Sequence, residues 1–214
     1  MRELLLSLMC QWDQTIHNIM EYVYKLNLPG LIDVVKDDLK LDPFGEYKKP
    51  NHVYSVPIKN FLHPNWTNIN NLDWFHLSIF NKPPGSFGII HNDTRDTSQF
   101  YWSINWVYGE GGGMCFWEEN QIYQRTVDKD VAGLYRTVFK VNSPPSKKYK
   151  TEHNGVYLVN STKIHNAYNY SKEGKTRYAV AIKARPTPQI SSWEKVVTIF
   201  QSYIFDVPIS PTNP

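Results

Sequence analysis

The sequence has few cysteines: two occur among 214 residues, Cys10 and Cys115. Two thiols are too few for the disulfide framework of a small secreted domain, so a reducing compartment is the expected setting. The sequence also lacks an uncharged hydrophobic run long enough to cross a bilayer as a helix. We therefore expect a cytoplasmic protein without a membrane anchor.

Blocks of like charge are absent as well, and the net charge is only +3. Nucleic acid is therefore not expected as a partner. Apolar residues make up 41% of the chain, which is typical of a globular protein. A chain of this length predicts a single domain over residues 1–214, divided into an N-terminal part (1–72), a core (73–185) and a C-terminal helix and tail (186–214).

Signatures of nucleotide binding and of nucleophilic catalysis are missing too. The glycines at 109 and 111–113 lack the spacing of a dinucleotide fingerprint, and no Gly-Lys-Ser/Thr follows them. They are more typical of a hairpin turn. Cys115 lies in an apolar stretch, which favours a packing role over a reactive one.

The hydrophobic pattern predicts a mostly β protein with flanking helices. Apolar residues recur at helical spacing from Leu5 to Val23, and again after Ser191, whose spacing to Glu194 is that of a capping box. Between them the pattern predicts short strands separated by turn residues, at 74–80, 87–93, 100–108, 113–118, 134–141, 155–159 and 177–184. Many short strands of this kind favour a sandwich or a barrel.

Candidate metal ligands stand in the motif His91-Asn92-Asp93. Residues i and i+2 of a strand project from one face, so the imidazole and the carboxylate point to the same place. His165, just past a strand-like run, can supply a third ligand. Two histidines and one carboxylate leave coordination positions open, as in non-haem Fe(II) sites.

A candidate anion site follows 12 residues after His165, at Arg177. On its predicted strand Arg177 shares a face with Ala179 and Ala181, which predicts a pocket with a cationic end that suits a short dicarboxylate. The strand at 100–108 divides into an apolar face, which we expect to pack under the helices, and a polar face of Tyr101, Ser103 and Asn105. The polar face could line a ligand-bearing interior.

These motifs together resemble the Fe(II)/2-oxoglutarate-dependent dioxygenase superfamily, in particular its prolyl-hydroxylase-like branch. The resemblance covers roughly residues 75–185. The segments that carry it are His91-Asn92-Asp93, Ser103-Ile104-Asn105-Trp106, the glycines 111–113, Asn160 to His165, and Lys175-Thr176-Arg177-Tyr178. Prolyl hydroxylases usually have a lysine at the position of Arg177.

The resemblance implies a double-stranded β-helix, or jelly roll, in which His91, Asp93 and His165 hold Fe(II). It also implies 2-oxoglutarate as co-substrate, with Arg177 on its far carboxylate and Tyr101 or Asn105 as helpers, and O2 as the oxidant. The implied reaction is hydroxylation of an organic substrate coupled to decarboxylation of 2-oxoglutarate to succinate and CO2.

Two other functions remain open from the sequence. One is a cupin-like metalloenzyme that does not use 2-oxoglutarate, for which Arg177 would be dispensable. The other is a non-catalytic jelly-roll binding protein, such as a viral structural protein. The primary substrate is open between a protein side chain, an amino acid and a small metabolite, and the chain is expected to be a monomer or a homodimer.

Overall fold

Two antiparallel six-stranded sheets form the framework of the part of the chain that the structure describes. The structure is a computed structural model, and it describes residues 22–28, 52–54, 72–94, 100–109, 111–129, 135–171, 174–184 and 187–205. In chain order the strands are β1 (Val23–Leu26), β2 (His52–Tyr54), β3 (Trp74–Lys82), β4 (His91–Asn92), β5 (Ser103–Tyr108), β6 (Gly112–Trp117), β7 (Ile122–Lys129), β8 (Tyr135–Val141), β9 (Lys147–Lys150), β10 (Gly155–Val159), β11 (Ile164–Asn169) and β12 (Arg177–Ala184). One α-helix, α1 (Trp193–Phe200), follows them in the described part of the chain.

The strand order is that of a jelly roll. The first sheet has the order β1-β10-β5-β12-β3-β2, and the second has the order β7-β8-β4-β11-β6-β9. From β3 to β6 and again from β9 to β12, each strand lies in the opposite sheet from the one before it. The predicted fold class, a mostly β jelly roll, is therefore confirmed.

Apolar side chains fill the space between the sheets and the outer face of the first sheet. The outer layer contains Trp102, Ile104 and Trp106, which pack with α1 as the alternation in the sequence predicts. The inner layer joins Val107 of the first sheet to Met114 and Phe116 of the second. Full burial of such side chains contributes about 1.5–3 kcal/mol each.

The C-terminal helix lies against the first sheet through four buried residues, Trp193, Val196, Val197 and Phe200. Its N-cap is Ser192, whose side chain accepts a hydrogen bond from the Lys195 N–H. The predicted capping box, with Ser191 in the capping position, was wrong by one residue. Within the described residues no helix has both the length and the apolar character that a membrane crossing requires.

Several strands differ in their bounds from those predicted from the sequence. Most of the predicted helix at 5–23 lies outside the described residues, but its last residue, Val23, begins β1. The strand predicted at 87–93 is reduced to His91–Asn92, with an isolated bridge at Phe87. Strands β7, β9 and β11 were not predicted. His165 follows the predicted strand at 155–159, but it lies within β11.

Candidate metal centre and the adjoining cationic pocket

The register of the second sheet places two histidines side by side. His165 of β11 and His91 of β4 are Cα partners, and their ring centroids are 4.6 Å apart. Residues directly opposite each other in an antiparallel pair project from the same face of the sheet. His165 also lies beside Phe116 of the inner apolar layer, at 5.8 Å between ring centroids. Both imidazoles therefore enter the space between the sheets.

Each imidazole is oriented by the backbone carbonyl two residues before it. His91 Nδ1 lies 2.8 Å from the Ile89 oxygen. His165 Nδ1 lies 2.7 Å from the Lys163 oxygen. Because a carbonyl oxygen only accepts, Nδ1 is the donor in both rings and the lone pair stands on Nε2. Metal-ligating histidines are commonly held in this way.

The carboxylate of Asp93 completes the cluster. Asp93 Oδ1 lies 3.5 Å from His91 Nε2, and the Asp93 backbone N–H donates to the Ser161 carbonyl at 3.0 Å. The ligand atoms offered by His91, Asp93 and His165 all lie within 4.8 Å of one another. In the described part of the chain, no other group of three His, Cys, Asp or Glu side chains comes as close together.

Lys183 binds the second oxygen of Asp93. Its Nζ lies 2.8 Å from Asp93 Oδ2. Burial alone would raise the pKa of the Asp93 carboxyl, but the positive charge of Lys183 outweighs burial and holds that pKa well below its usual range. Asp93 is therefore ionised at neutral pH, as a metal ligand must be.

His165 is in the form that binds a metal. Burial, together with repulsion from His91, lowers the pKa of His165 to about 4. The ring is thus neutral at physiological pH. Two imidazoles and one carboxylate suit Fe(II) and would leave coordination positions for other ligands, whereas a structural zinc site takes four protein ligands.

Arg177 lies inside the jelly roll with most of its hydrogen-bonding capacity unused. Its side chain is fully buried, and Nη2 donates to Thr151 Oγ1 at 3.0 Å. Its Nε and Nη1 have no hydrogen-bond partner among the described residues. Burial lowers the pKa of Arg177 to about 10, so the guanidinium stays charged at neutral pH. A buried cation without a counter-charge is costly, which points to an anionic ligand.

Gly112 makes the room for this guanidinium. A Cβ on Gly112 would lie 2.6 Å from Arg177 Nε, which is closer than such atoms approach. Gly112 is the Cα partner of Asn169, four residues along β11 from His165. Four strand residues span about 13 Å. The metal cluster and the arginine therefore lie at different levels of one interior.

Asn105 and Tyr101, the predicted helpers of Arg177, lie in different places. Asn105 of β5 is the Cα partner of Ala181, so it lies on the inner wall, and its Oδ1 accepts from Ser103 at 3.0 Å. Tyr101 precedes β5, and its backbone binds Thr162 through both its N–H and its carbonyl. The hydroxyl that accepts a hydrogen bond from Arg177 is that of Thr151. Co-substrate binding by Tyr101 and Asn105 stays a prediction.

The role of Thr151 and the contact of Lys183 with Asp93 were not predicted from the sequence. Thr151 follows a lysine-rich strand and carries no motif. Lys183, however, shares the predicted inner face of Arg177, Ala179 and Ala181, because all four alternate along β12. This alternation could have predicted that Lys183 faces the interior together with Arg177.

Comparisons with known proteins identify similarities of fold alone. No protein-family model matches the chain, and no curated protein matches it. One similar solved structure is E. coli ycfD, at 14% identity with a TM-score of 0.36; the match covers 68% of this chain but only 38% of that one. Another is SnoK, a non-heme alpha-ketoglutarate-dependent carbocyclase of nogalamycin biosynthesis, at 14% identity with a TM-score of 0.34, covering 86% of this chain and 82% of SnoK.

Proposed function

We propose that this protein is an Fe(II)- and 2-oxoglutarate-dependent dioxygenase of the prolyl-hydroxylase-like type that hydroxylates an organic substrate. His91, Asp93 and His165 would hold the iron. When bound, the iron would supply the redox chemistry by which O2 and 2-oxoglutarate yield succinate, CO2 and a hydroxylated product.

The observation that carries the proposal is the buried guanidinium of Arg177. A metal cluster alone would fit many enzymes, including cupin-like ones. Arg177 adds a second feature, because its Nε and Nη1 are buried without partners in the described residues. Carboxylates and phosphates are the anions that a guanidinium commonly binds in proteins. A dicarboxylate such as 2-oxoglutarate can reach a metal with one end and Arg177 with the other.

The residues between these two groups would orient the co-substrate. Ala179 and Ala181 share the inner face of β12 with Arg177, and their small side chains leave space in front of it. Asn105, the Cα partner of Ala181, offers an amide on the same wall. Thr151 holds the guanidinium in place through its hydroxyl. The buried apolar residues Met114 and Phe116 would keep water out of the interior.

An anaerobic titration tests the proposal. The metal-free protein receives Fe(II) and then 2-oxoglutarate, and the visible absorption is recorded after each addition. We expect a weak charge-transfer band that requires both additions, is lost in His165→Ala, and persists in His153→Ala, which removes a histidine outside the cluster. Iron binding without a response to 2-oxoglutarate would favour the cupin-like alternative. Absence of iron binding would favour a non-catalytic jelly roll.

A further inference from the structure

Lys82 lies beside Arg177 on the inner face of the first sheet. The two residues are Cα partners in the pairing of β3 with β12. Directly opposite residues of an antiparallel pair have Cα atoms about 4.5–5.5 Å apart, and their side chains project from the same face. Because the Arg177 side chain enters the interior of the jelly roll, the Lys82 side chain enters it too. A second cation therefore adjoins the buried guanidinium.

The ammonium of Lys82 reaches across the interior to the second sheet. A Cβ on Gly88 would lie 2.8 Å from Lys82 Nζ and 3.0 Å from the Ala167 oxygen. The Gly88 N–H donates to that same oxygen at 2.9 Å, so the Ala167 carbonyl points to the side of β11 on which Gly88 lies. Lys82 Nζ is thus located against the inner face of β11, next to the segment that leads into β4.

The guanidinium of Arg177 reaches the other side of the same strand. A Cβ on Gly112 of β6 would lie 2.6 Å from Arg177 Nε and 2.7 Å from the Tyr168 oxygen. Tyr168 directly follows Ala167 in β11. The two cations therefore approach consecutive carbonyls of one strand, Lys82 from the side of β4 and Arg177 from the side of β6.

The two charges have no acidic partner in the part of the chain that the structure describes. Arg177 donates there only to Thr151, and no carboxylate pairs with Lys82. Arg177 is fully buried and Lys82 is partly buried. Burial lowers the pKa of Lys82, and so does the positive charge of Arg177. Two adjoining cations held largely out of water favour an anion between them.

One amide fixes the backbone beside both cations. Asn169 Nδ2 donates to the Lys82 carbonyl at 2.8 Å and to the Lys175 carbonyl at 2.9 Å. Its Oδ1 accepts from the Ser171 N–H at 2.9 Å. Lys82 ends β3, and Lys175 lies two residues before Arg177. The buried Asn169 therefore ties both cation-bearing strands to β11, so the two charges are positioned before any ligand binds.

We propose that Lys82 is a second binding residue for the far carboxylate of 2-oxoglutarate, which it holds from the side of β4 while Arg177 holds it from the side of β6. Ala167 is two residues from His165 on the same face of β11, which is about 7 Å of strand. Lys82 Nζ therefore lies nearer to the metal ligands than Arg177 does. A short dicarboxylate that extends from the metal toward Arg177 passes Lys82. This inference rests on the proposed function, and it makes the pocket selective for 2-oxo acids that carry a second carboxylate.

Anaerobic titrations of the Fe(II)-loaded protein with two 2-oxo acids test the proposal. 2-Oxoglutarate and 2-oxobutyrate chelate a metal through the same atoms, but only 2-oxoglutarate carries a second carboxylate. The charge-transfer band of each complex gives its affinity. We expect Lys82→Met to weaken 2-oxoglutarate binding by about 10-fold or more and to change 2-oxobutyrate binding less than about threefold. Lys150→Met, which removes an exposed lysine, should leave both affinities unchanged.

Gly88→Ala is a second variant that keeps both charges. Its methyl group would take the place next to Lys82 Nζ, so the ammonium must move away. We expect Gly88→Ala to weaken 2-oxoglutarate binding by about threefold or more, again with little effect on 2-oxobutyrate. Fe(II) affinity is measured in each variant and should match that of the unsubstituted protein, because neither substitution removes a metal ligand.

Two results would overturn the assignment of Lys82. If Lys82→Met bound 2-oxoglutarate like the unsubstituted protein, Arg177 alone would hold the far carboxylate. Equal losses for the two 2-oxo acids would mean that Lys82 acts on the chelating end or on the fold. Failure of the proposed function looks different, since the unsubstituted protein itself would then respond to neither 2-oxo acid, and the assignment of Lys82 would fail with it.

Discussion

Lys183 Nζ lies 2.8 Å from Asp93 Oδ2, which leaves Oδ1 as the oxygen that faces His91. The lysine comes from the first sheet and the aspartate from the turn that follows β4 in the second. One ion pair therefore links the two layers of the jelly roll at the candidate metal centre. It also decides which oxygen of Asp93 is directed toward the histidines.

We expect Lys183→Met to destabilise the metal-free protein by about 1–3 kcal/mol at pH 7, because Asp93 would stay largely buried without its partner. Because the pKa of Asp93 is lower in the folded protein than in the unfolded chain, its ionised carboxylate stabilises the fold at pH values above the unfolded-state pKa. This stabilisation is lost as the pH falls through the folded-state pKa. Without Lys183 that pKa rises, so the deficit relative to the unsubstituted protein should shrink as the pH is lowered toward 4. Urea unfolding at both pH values measures this, with Lys183→Arg as the charge-conserving control. A deficit independent of pH would contradict the assignment.

His91→Ala should lower Mn(II) affinity by 100-fold or more, because it removes one of three ligands. The His91 side chain is 21% exposed, so its loss should cost the fold less than 1 kcal/mol or so. Titration calorimetry gives the affinity, and thermal unfolding of the metal-free variant checks the fold. His153→Ala serves as the matched control. Unchanged Mn(II) affinity in His91→Ala would mean that the histidine is not a ligand.

Arg177→Met should separate ligand binding from stability. We expect 2-oxoglutarate affinity to fall at least 10-fold, about 1.4 kcal/mol or more, because a charge-assisted pair is lost. The ligand-free variant should be as stable as the unsubstituted protein or more so, since an apolar residue replaces a buried guanidinium with two unpartnered nitrogens. Calorimetry and urea unfolding provide the two values. A large loss of stability would assign Arg177 a structural role instead.

The cap of α1 offers a test at a distance from the site. Ser192→Ala should destabilise the protein by about 0.5–2 kcal/mol, because the Ser192 side chain accepts from the Lys195 N–H at the helix start. Ser191→Ala is the matched control and should have a smaller effect, since the Ser191 hydroxyl contacts the Pro188 carbonyl and Lys195 Nζ and no backbone N–H of the helix start. Urea unfolding of both variants distinguishes them. If Ser191→Ala destabilised the protein more than Ser192→Ala, Ser191 would be the N-cap.

The regular part of the fold could be predicted because its strands alternate clearly. β5 has large apolar residues at every second position, and β10 and β12 were predicted with their observed bounds. β9 was missed because it reads Lys-Lys-Tyr-Lys, a composition that strands usually avoid. β7 was missed because all but one of its residues are exposed, so neither face is marked by apolar side chains.

The candidate site was predictable where it depends on residues close together in the sequence. His91 and Asp93 satisfy the i, i+2 rule for one face of an extended chain. The contacts between Lys183 and Asp93, and between Arg177 and Thr151, span the two sheets or distant loops. Such contacts depend on sheet spacing and register, which strand periodicity does not determine. The close approach of Gly112 to Arg177 depends on the same two properties.

The pairing of β4 with β11 has a consequence for folding. His91 and His165 are neighbours only once the two strands have joined, and they are 74 positions apart in the chain. An ion that needs both histidines would bind the native chain in preference to the unfolded one, and would shift the folding equilibrium toward it by mass action. The supply of metal would then govern the abundance of folded protein as well as its chemistry.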